Sequence, residues 1–310
     1  LNAPFGQIKL GWDGSGIAPR GLLSGLVFDV TDELSLGRKS VTSVSAIDPL
    51  TGKGIVIPYG LSRDGNTWLD PRGVDITSGG LPQKSVKLSA ASVTTLDGSR
   101  IDLRGGGDLF AYRWVGGQGG SRDILADASS FAIIPGYQAD FAPFAPFNAA
   151  STGGDAGYAN SSLQVGQQIR LAAGDGLPAG TYTLLPARYA LLPGAFLITP
   201  QAGTAIGTVA KADGSSIVSG SRFNGMEAGL KPSPIVTRFE IASSKVIRER
   251  AEYTKLRAND FLKAVGGLRL PGDAGQLVFA ATRAMTVQGQ VLSAGAATFR
   301  NGIIDISSPV

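Results

Sequence analysis

Short stretches of alternating apolar and polar residues, cut by Gly, Pro, Asn and Asp, run through the first third of the chain. They fall at Gln7 to Leu10, Leu26 to Val30, Ser40 to Ala46, Gly54 to Tyr59, Val74 to Thr77, Ser85 to Ala90, Ser92 to Leu96 and Arg100 to Leu103. A period of two is what a strand with one buried face requires. The last three, SVKLSA, SVTTL and SRIDL, follow one another almost without a break. Asp97 and Gly98 suit a hairpin turn, whereas Ala91 alone cannot reverse the chain. Strands joined by such corners predict a chain that changes face without turning back, as in a parallel β-helix.

The pattern returns from about residue 266 in GGLRLPG, GQLVFAAT, AMTVQGQVLSAG and GIIDISS. Stacked about 4.8 Å apart, such turns would share one Val, Leu and Ile core. At roughly 22 residues per turn the two zones predict about seven or eight turns.

Between them the rhythm breaks. Residues 106–245 hold the run IIPGYQADFAPFAPF and the segment GLPAGTYTLLPARYALLPGAF, and no Lys or Arg occurs from Asp123 to Ile169. This composition predicts an inserted, mostly-β domain outside the solenoid. The expected fold is therefore all-β: a right-handed parallel β-helix over residues 1–105, an inserted extrahelical domain over 106–245, and a return segment over 246–310. Within that last segment ASSKVIRERAEY reads as a returning strand with Val246 and Ile247 on opposite faces. Thr254 to Val265 reads as a short helix stopped by Gly266 and Gly267.

Composition narrows the chemistry. The chain has 44 Gly and 17 Pro, with 43% hydrophobic and 17% charged residues, which is too apolar for disorder and too rich in turns for a helical bundle. It contains neither Cys nor His. Disulfides, thiolate metal sites and catalysis by Ser-His-Asp or Cys-His groups are thereby excluded, leaving carboxylates, Lys or Tyr for any reaction. A chain without Cys also suits export through an oxidising periplasm. The net charge is +4, and seven basic against three acidic residues between Lys245 and Arg269 account for all of it. Elsewhere the charges balance, so no general nucleic-acid-binding surface is expected. No apolar run is long enough to span a membrane, and no signal peptide is visible. The chain begins at Leu1, as expected of a piece of a longer exported polypeptide.

Four strings are unusual: RIDLRGGGDLFAYRWVGGQGGSRDIL, FAIIPGYQADFAPFAP, GLPAGTYTLLPARYALLPGAF and IRERAEYTKLRANDFL. On these the chain resembles, over about residues 40–310, a domain of the filamentous-haemagglutinin-like exoproteins of Gram-negative bacteria. The resemblance implies a giant adhesin that leaves the cell through an outer-membrane partner by two-partner secretion and folds outside as a β-helix. Its work would be attachment, aggregation or biofilm formation at the cell surface. Some relatives end in toxins. The family supplies no catalytic motif, and no cofactor or metal is expected.

Candidate sites are few. Tyr137, Phe141, Phe144 and Phe147, interleaved with Pro, suit an apolar platform for a glycan or protein receptor, although packing within the insertion would use the same rings. Arg248, Arg250 and Arg257 offer contact with an anionic polysaccharide, although Glu249, Glu252 and Asp260 among them favour self-pairing. RGGGD at Arg104 to Asp108 is solitary, unlike tandem calcium repeats, so its glycines read as special backbone angles where the chain leaves the solenoid. GGQGG at Gly116 to Gly120 lacks the residues of a phosphate loop. The expected product is a monomeric, non-catalytic segment. The alternative is a carbohydrate-binding or polysaccharide-cleaving protein on the same scaffold, working through carboxylates.

Overall fold

The computed structural model describes residues 1–21, 25–71, 73–117, 120–137, 163, 165–204, 207–224, 231–232 and 236–307. The chain is mostly β and divides into two compact units. One comprises residues 1–61, 65–111 and 256–310, and the other residues 62–64 and 112–255. The transitions expected from the sequence, 105/106 and 245/246, fall six and ten residues before the unit changes at 111/112 and 255/256.

In the first unit the strands pair in parallel. Ser85–Thr95 lies at the centre, with Gln7–Leu10 and Glu33–Leu36 on one side and Gln276–Val287 on the other, followed by Ile303–Ser307. A second parallel set stacks Val41–Ser43, Arg100–Asp102 and Gln290–Leu292. Register aligns the apolar side chains into columns: Ile8, Val86, Leu277 and Ile304 form one, and Leu10, Leu88, Phe279 and Ile306 another. Val86, Leu88, Leu277 and Phe279 are buried, and with Val44, Val93, Ile101 and Leu103 they make the core. Parallel strands reward this arrangement because like residues stack on like along the hydrogen-bonding direction.

SVKLSA and SVTTL belong to one hydrogen-bonded strand, yet its buried positions change phase at Ala91, from Val86, Leu88 and Ala90 to Val93 and Thr95. Ala91 is thus a corner without a break. The neighbouring strand has its own irregularity at that level, between Ala281 and Ala284. In the first tier residues 11–21 and 25–32 lie outside the parallel strands, as an arm leaving at this corner.

Four tiers of parallel strands exist among the described residues, fewer than the seven or eight expected. Insertions explain the shortfall. Gln276 pairs with Ile303, 27 residues on, whereas Gln7 pairs with Ser85 after 78 residues and Ser85 with Gln276 after 191. Residues that the periodicity assigned to further turns sit in these excursions. Leu26 to Val30 and Val74 to Thr77 form isolated bridges at most, and GGLRLPG forms no strand.

A second core in this unit lies around Trp68, Leu109, Ala258 and Leu262, with Phe261 5.4 Å from the Trp68 ring. Phe261 and Leu262 are carried by the helix α2 (Ala258–Val265), which starts four residues later than the sequence predicts because Glu252–Arg257 is a strand. The Asp108 carboxylate accepts from Asn259 N–H at 3.1 Å and so supplies the helix with an N-terminal partner that Arg257 cannot provide. RGGGD also finds its explanation here. Gly107 has φ of 72°, and a Cβ there would collide with the carbonyl of Ile55.

The other unit is antiparallel throughout its main sheet. Its strands run in the order Gly180–Thr183, Gln168–Leu171, Ser216–Asn224, Thr237–Ser243, Phe196–Gln201, Phe131–Ile133 and Leu185–Pro186, with Val209–Ala210 and Lys231–Pro232 beside Ser216–Asn224. The first and last of these are separated in the chain by Leu184 alone, so the sheet curls into a nearly closed barrel. Phe131, Ile133, Ile169, Leu171, Tyr182, Leu184, Phe196, Ile198, Val218 and Ile241 fill it. Outward-facing Leu197 and Ala242 are buried as well, beneath the helix α1 (Ser244–Arg250).

This helix overturns the expectation of a returning strand at ASSKVIRERAEY. The Ser243 side chain caps it by accepting from Val246 N–H, Lys245 and Glu249 pair at i,i+4, and Val246 and Ile247 both face inward.

Candidate functional site

The aromatic platform can be placed only at its first ring. Tyr137 follows the strand Phe131–Ile133 in a turn closed by its own N–H to the carbonyl of Ile134, 2.9 Å. It is half-buried and electrostatically adjacent to the buried Tyr189. Phe141, Phe144 and Phe147 lie outside the described residues.

The three arginines do not form one basic face. Arg248 and Arg250 belong to the antiparallel unit and Arg257 to the parallel one. Arg248 donates to the carbonyl of Leu191 at 3.0 Å. Arg250 is the centre of an ionic cluster: its guanidinium reaches Glu240 at 2.7 Å, Ser215 Oγ at 2.9 Å and Asp213 through Nε at 2.9 Å, while Lys211 reaches Glu240 at 3.1 Å. Hydrogen bonds from Ser215 and then Arg250 hold the Asp213 carboxyl well below the usual carboxylate range. Burial raises that of Glu240, but the bonds from Arg250 and Lys211 outweigh it and the net shift is downward. An arginine so engaged has little charge left for an external anion. Arg257 is exposed, directly before α2.

Sequence reasoning missed the arm at residues 11–32. Its limbs run antiparallel, tied by Trp12 N–H to Thr31 Oγ1 at 3.0 Å, Phe28 N–H to the Pro19 carbonyl at 2.9 Å and Gly21 N–H to the Leu26 carbonyl at 2.9 Å. Along it Ile17, Leu26, Val27, Phe28 and Val30 are at least half exposed, Ile17 almost completely at 96%. The signal was present as GLVFDV, which alternation alone reads as a strand with one buried face; here Leu26, Val27, Phe28 and Val30 are all exposed.

A second exposed apolar feature is the last parallel strand. Ile304 and Ile306 continue the buried columns of Leu277 and Phe279 but are 46% and 62% exposed.

Two carboxylates of the parallel unit are engaged in the same way. Asp102 accepts from Arg104 at 2.7 Å, and Asp273 accepts the Leu270 and Arg300 N–H groups and pairs with Arg300 Nε at 3.1 Å. Burial raises the pKa of Asp108 despite its bonds from Asn259 and Leu109. Among the described residues no group of three or more Asp or Glu is gathered in a way that would hold a metal ion.

No protein-family model, curated protein or solved structure matches this chain.

Proposed function

We propose that the chain is a segment of a large, secreted bacterial surface protein of the filamentous-haemagglutinin-like kind. In this reading the tiers of the first unit are coils of a right-handed parallel β-helix. The antiparallel unit is the extrahelical domain that it displays, and the work is attachment, aggregation or biofilm formation.

The carrying observation is the in-register column of parallel pairs between sequence-distant strands, Ile8 with Val86, Val86 with Leu277 and Leu277 with Ile304. A column of that kind extends by adding turns, and it tolerates excursions at its corners without losing register. The arm at residues 11–32 and the 191-residue interval between Ser85 and Gln276 are such excursions. They give an adhesin its gripping surfaces: the exposed apolar arm and the aromatic segment beginning at Tyr137. Attachment is favoured over a reaction because Asp102, Asp213 and Glu240 are each bound to an arginine that helps hold the carboxyl below the usual range, leaving these three poor proton donors at neutral pH, and Asp273 is tied up by Arg300. Outside the cell the partner would be a surface glycan or protein receptor, and for the full-length protein a two-partner-secretion transporter in the outer membrane.

The test is binding of the purified chain to a glycan array and to host and bacterial cells. One variant carries Ala at Tyr137, Phe141, Phe144 and Phe147, and a second carries Ser at Ile17, Leu26 and Phe28. Saturable binding that falls about tenfold or more in either folded variant supports the proposal. Binding to no surface, or binding indifferent to both variants, overturns it. Cleavage of pectin or alginate by the same preparation would put the glycan-cleaving alternative in its place.

A further inference from the structure

Lys84 is an unusual residue for a protein with so few charges. It immediately precedes the central parallel strand, is 7% exposed, and its ammonium donates one hydrogen bond, to the carbonyl of Pro271 at 2.7 Å. The ring of Phe5 lies 5.9 Å from Nζ. A buried ammonium normally sits against a carboxylate, since an uncompensated charge loses its hydration without return. The carboxylate on this cavity is Asp273, and it is held by Arg300 and two backbone N–H groups. Lys84 makes no ion pair with it.

The cavity in front of Lys84 is lined on its apolar side by Phe5, Tyr59, Leu81 and Leu109 and on its polar side by Arg269. The Arg269 guanidinium bonds only to carbonyl oxygens, those of Ala274 at 3.4 Å and Asn301 at 3.3 Å. Two cations thus border a small, largely apolar space whose single carboxylate is already engaged. Its free volume, about 50 Å³, admits about four water-sized groups.

We propose that this cavity is a binding site for a small aliphatic carboxylate, its anionic head between Lys84 and Arg269 and its hydrocarbon part against Tyr59, Leu81 and Leu109. The size fits a three-carbon acid. An anion there would return to Lys84 the partner that burial removed, and Arg269 supplies the second donor that a carboxylate accepts. The site lies in the parallel unit and is independent of the attachment surfaces.

The protonation of Lys84 gives the site a pH signature. Burial lowers its pKa to about 8, with Asp273 raising it and Arg269 lowering it further. Asp273, Arg269 and Tyr59 are the ionisable groups on the cavity with it, and Arg300 stands behind Asp273. A bound carboxylate favours the ammonium form, so binding takes up protons near pH 8 and weakens above it.

Propionate is the probe, with uncharged propionamide as control, followed through the backbone amide shifts of Gln83, Lys84 and Ala274 in the full chain. Four results are expected together: saturable shifts with propionate at pH 7, none with propionamide, binding at least about tenfold weaker at pH 9.5, and weaker binding in R269Q. K84M is expected to abolish it; should that variant not fold, the pH and R269Q arms decide. No saturable shift, an equal response to propionamide, no weakening at pH 9.5, or undiminished binding in R269Q or folded K84M overturns the proposal.

Discussion

Val86 in the parallel unit meets Leu277, 191 positions later, whereas in the antiparallel unit Tyr182 meets Ile169 and Ile198 meets Phe131 within a much shorter reach. Both cores are aliphatic and aromatic, so the difference lies in what each pairing asks of the chain. The barrel closes through antiparallel neighbours whose separations in the chain stay below that of Ile198 and Phe131 or equal it, with its two edge strands joined through Leu184. The parallel stack needs three distant segments brought into one register before its columns gain any burial, and long loops must be closed first. What holds the second unit is a nearly closed ring of antiparallel pairs of moderate reach; what holds the first is a column spanning the whole chain.

The largest test of that contrast removes one rung from each core. Leu88 and Ile198 are both fully buried, and Ala at either position should cost about 3–4 kcal/mol through lost transfer energy and the cavity left behind. The consequences should differ in place. With Trp68 as reporter of the parallel unit and Trp114 of the antiparallel one, in variants carrying Phe at the other two tryptophans, L88A should shift the Trp68 transition in denaturant. I198A should shift that of Trp114. If either substitution moves both transitions equally, the units are one cooperative structure and the contrast fails.

How much of this was legible beforehand follows the same division. The strands at Gln7, Ser85, Arg100 and Gln276 announce themselves by period-two alternation, and Ala91 was readable as a corner because one residue cannot reverse a chain. The number of tiers was not, because alternation in Leu26 to Val30 and in Val74 to Thr77 looks the same whether the segment stacks or loops out. Helix α1 was hidden for a different reason. β-Branched Val246 and Ile247 favour a strand locally, and only the sheet surface offered by Leu197 and Ala242 rewards burying both on one side. Arg248 and Arg250 looked like a surface charge run. What decides their role is the position of Asp213, Glu240 and Leu191, which spacing along the sequence cannot give.

A medium-sized test uses alkaline pH, where the two units should respond with opposite sign. Lys84 has its folded pKa lowered from 10.5 to about 8. Between these values the unfolded state holds the proton and the folded state does not, so stability rises with pH, by up to about 3 kcal/mol from this one group. In the antiparallel unit Tyr253 is half-buried and donates to Asp123 at 2.7 Å, and burial followed by that carboxylate drives its pKa far above 10. There the folded state keeps a proton that the unfolded state releases, so stability falls as pH rises through 10. The Trp68 transition should therefore move to higher denaturant between pH 8 and 10, with K84M abolishing the trend. The Trp114 transition should move lower above pH 10, with Y253F reducing the slope. Parallel movement of both transitions would mean that whole-chain charge, and not these groups, governs the response.

The smallest expected effects separate two arginines that look alike as ion pairs. Arg250 is 27% exposed and binds Glu240, itself 15% exposed, together with Asp213. Arg283 in the parallel unit pairs with Asp32 at 2.9 Å, but the two side chains are 58% and 72% exposed. Water screens the second pair and solvates either partner once the other is gone, whereas the half-buried Glu240 without Arg250 keeps Lys211 and only long bonds from Ser215 and Gln201, each 3.4 Å. R250A should therefore lower the Trp114 transition by about 1 kcal/mol, and R283A should leave the Trp68 transition within about 0.5 kcal/mol. The R250A loss should shrink below pH 4: Asp213 and Glu240 both have lowered carboxyl pKa values, so the stability they lend is present above the unfolded value and is lost as acid protonates them. A loss in R283A as large as that in R250A would assign the cross-tier ion pair a part in holding the column that its exposure argues against.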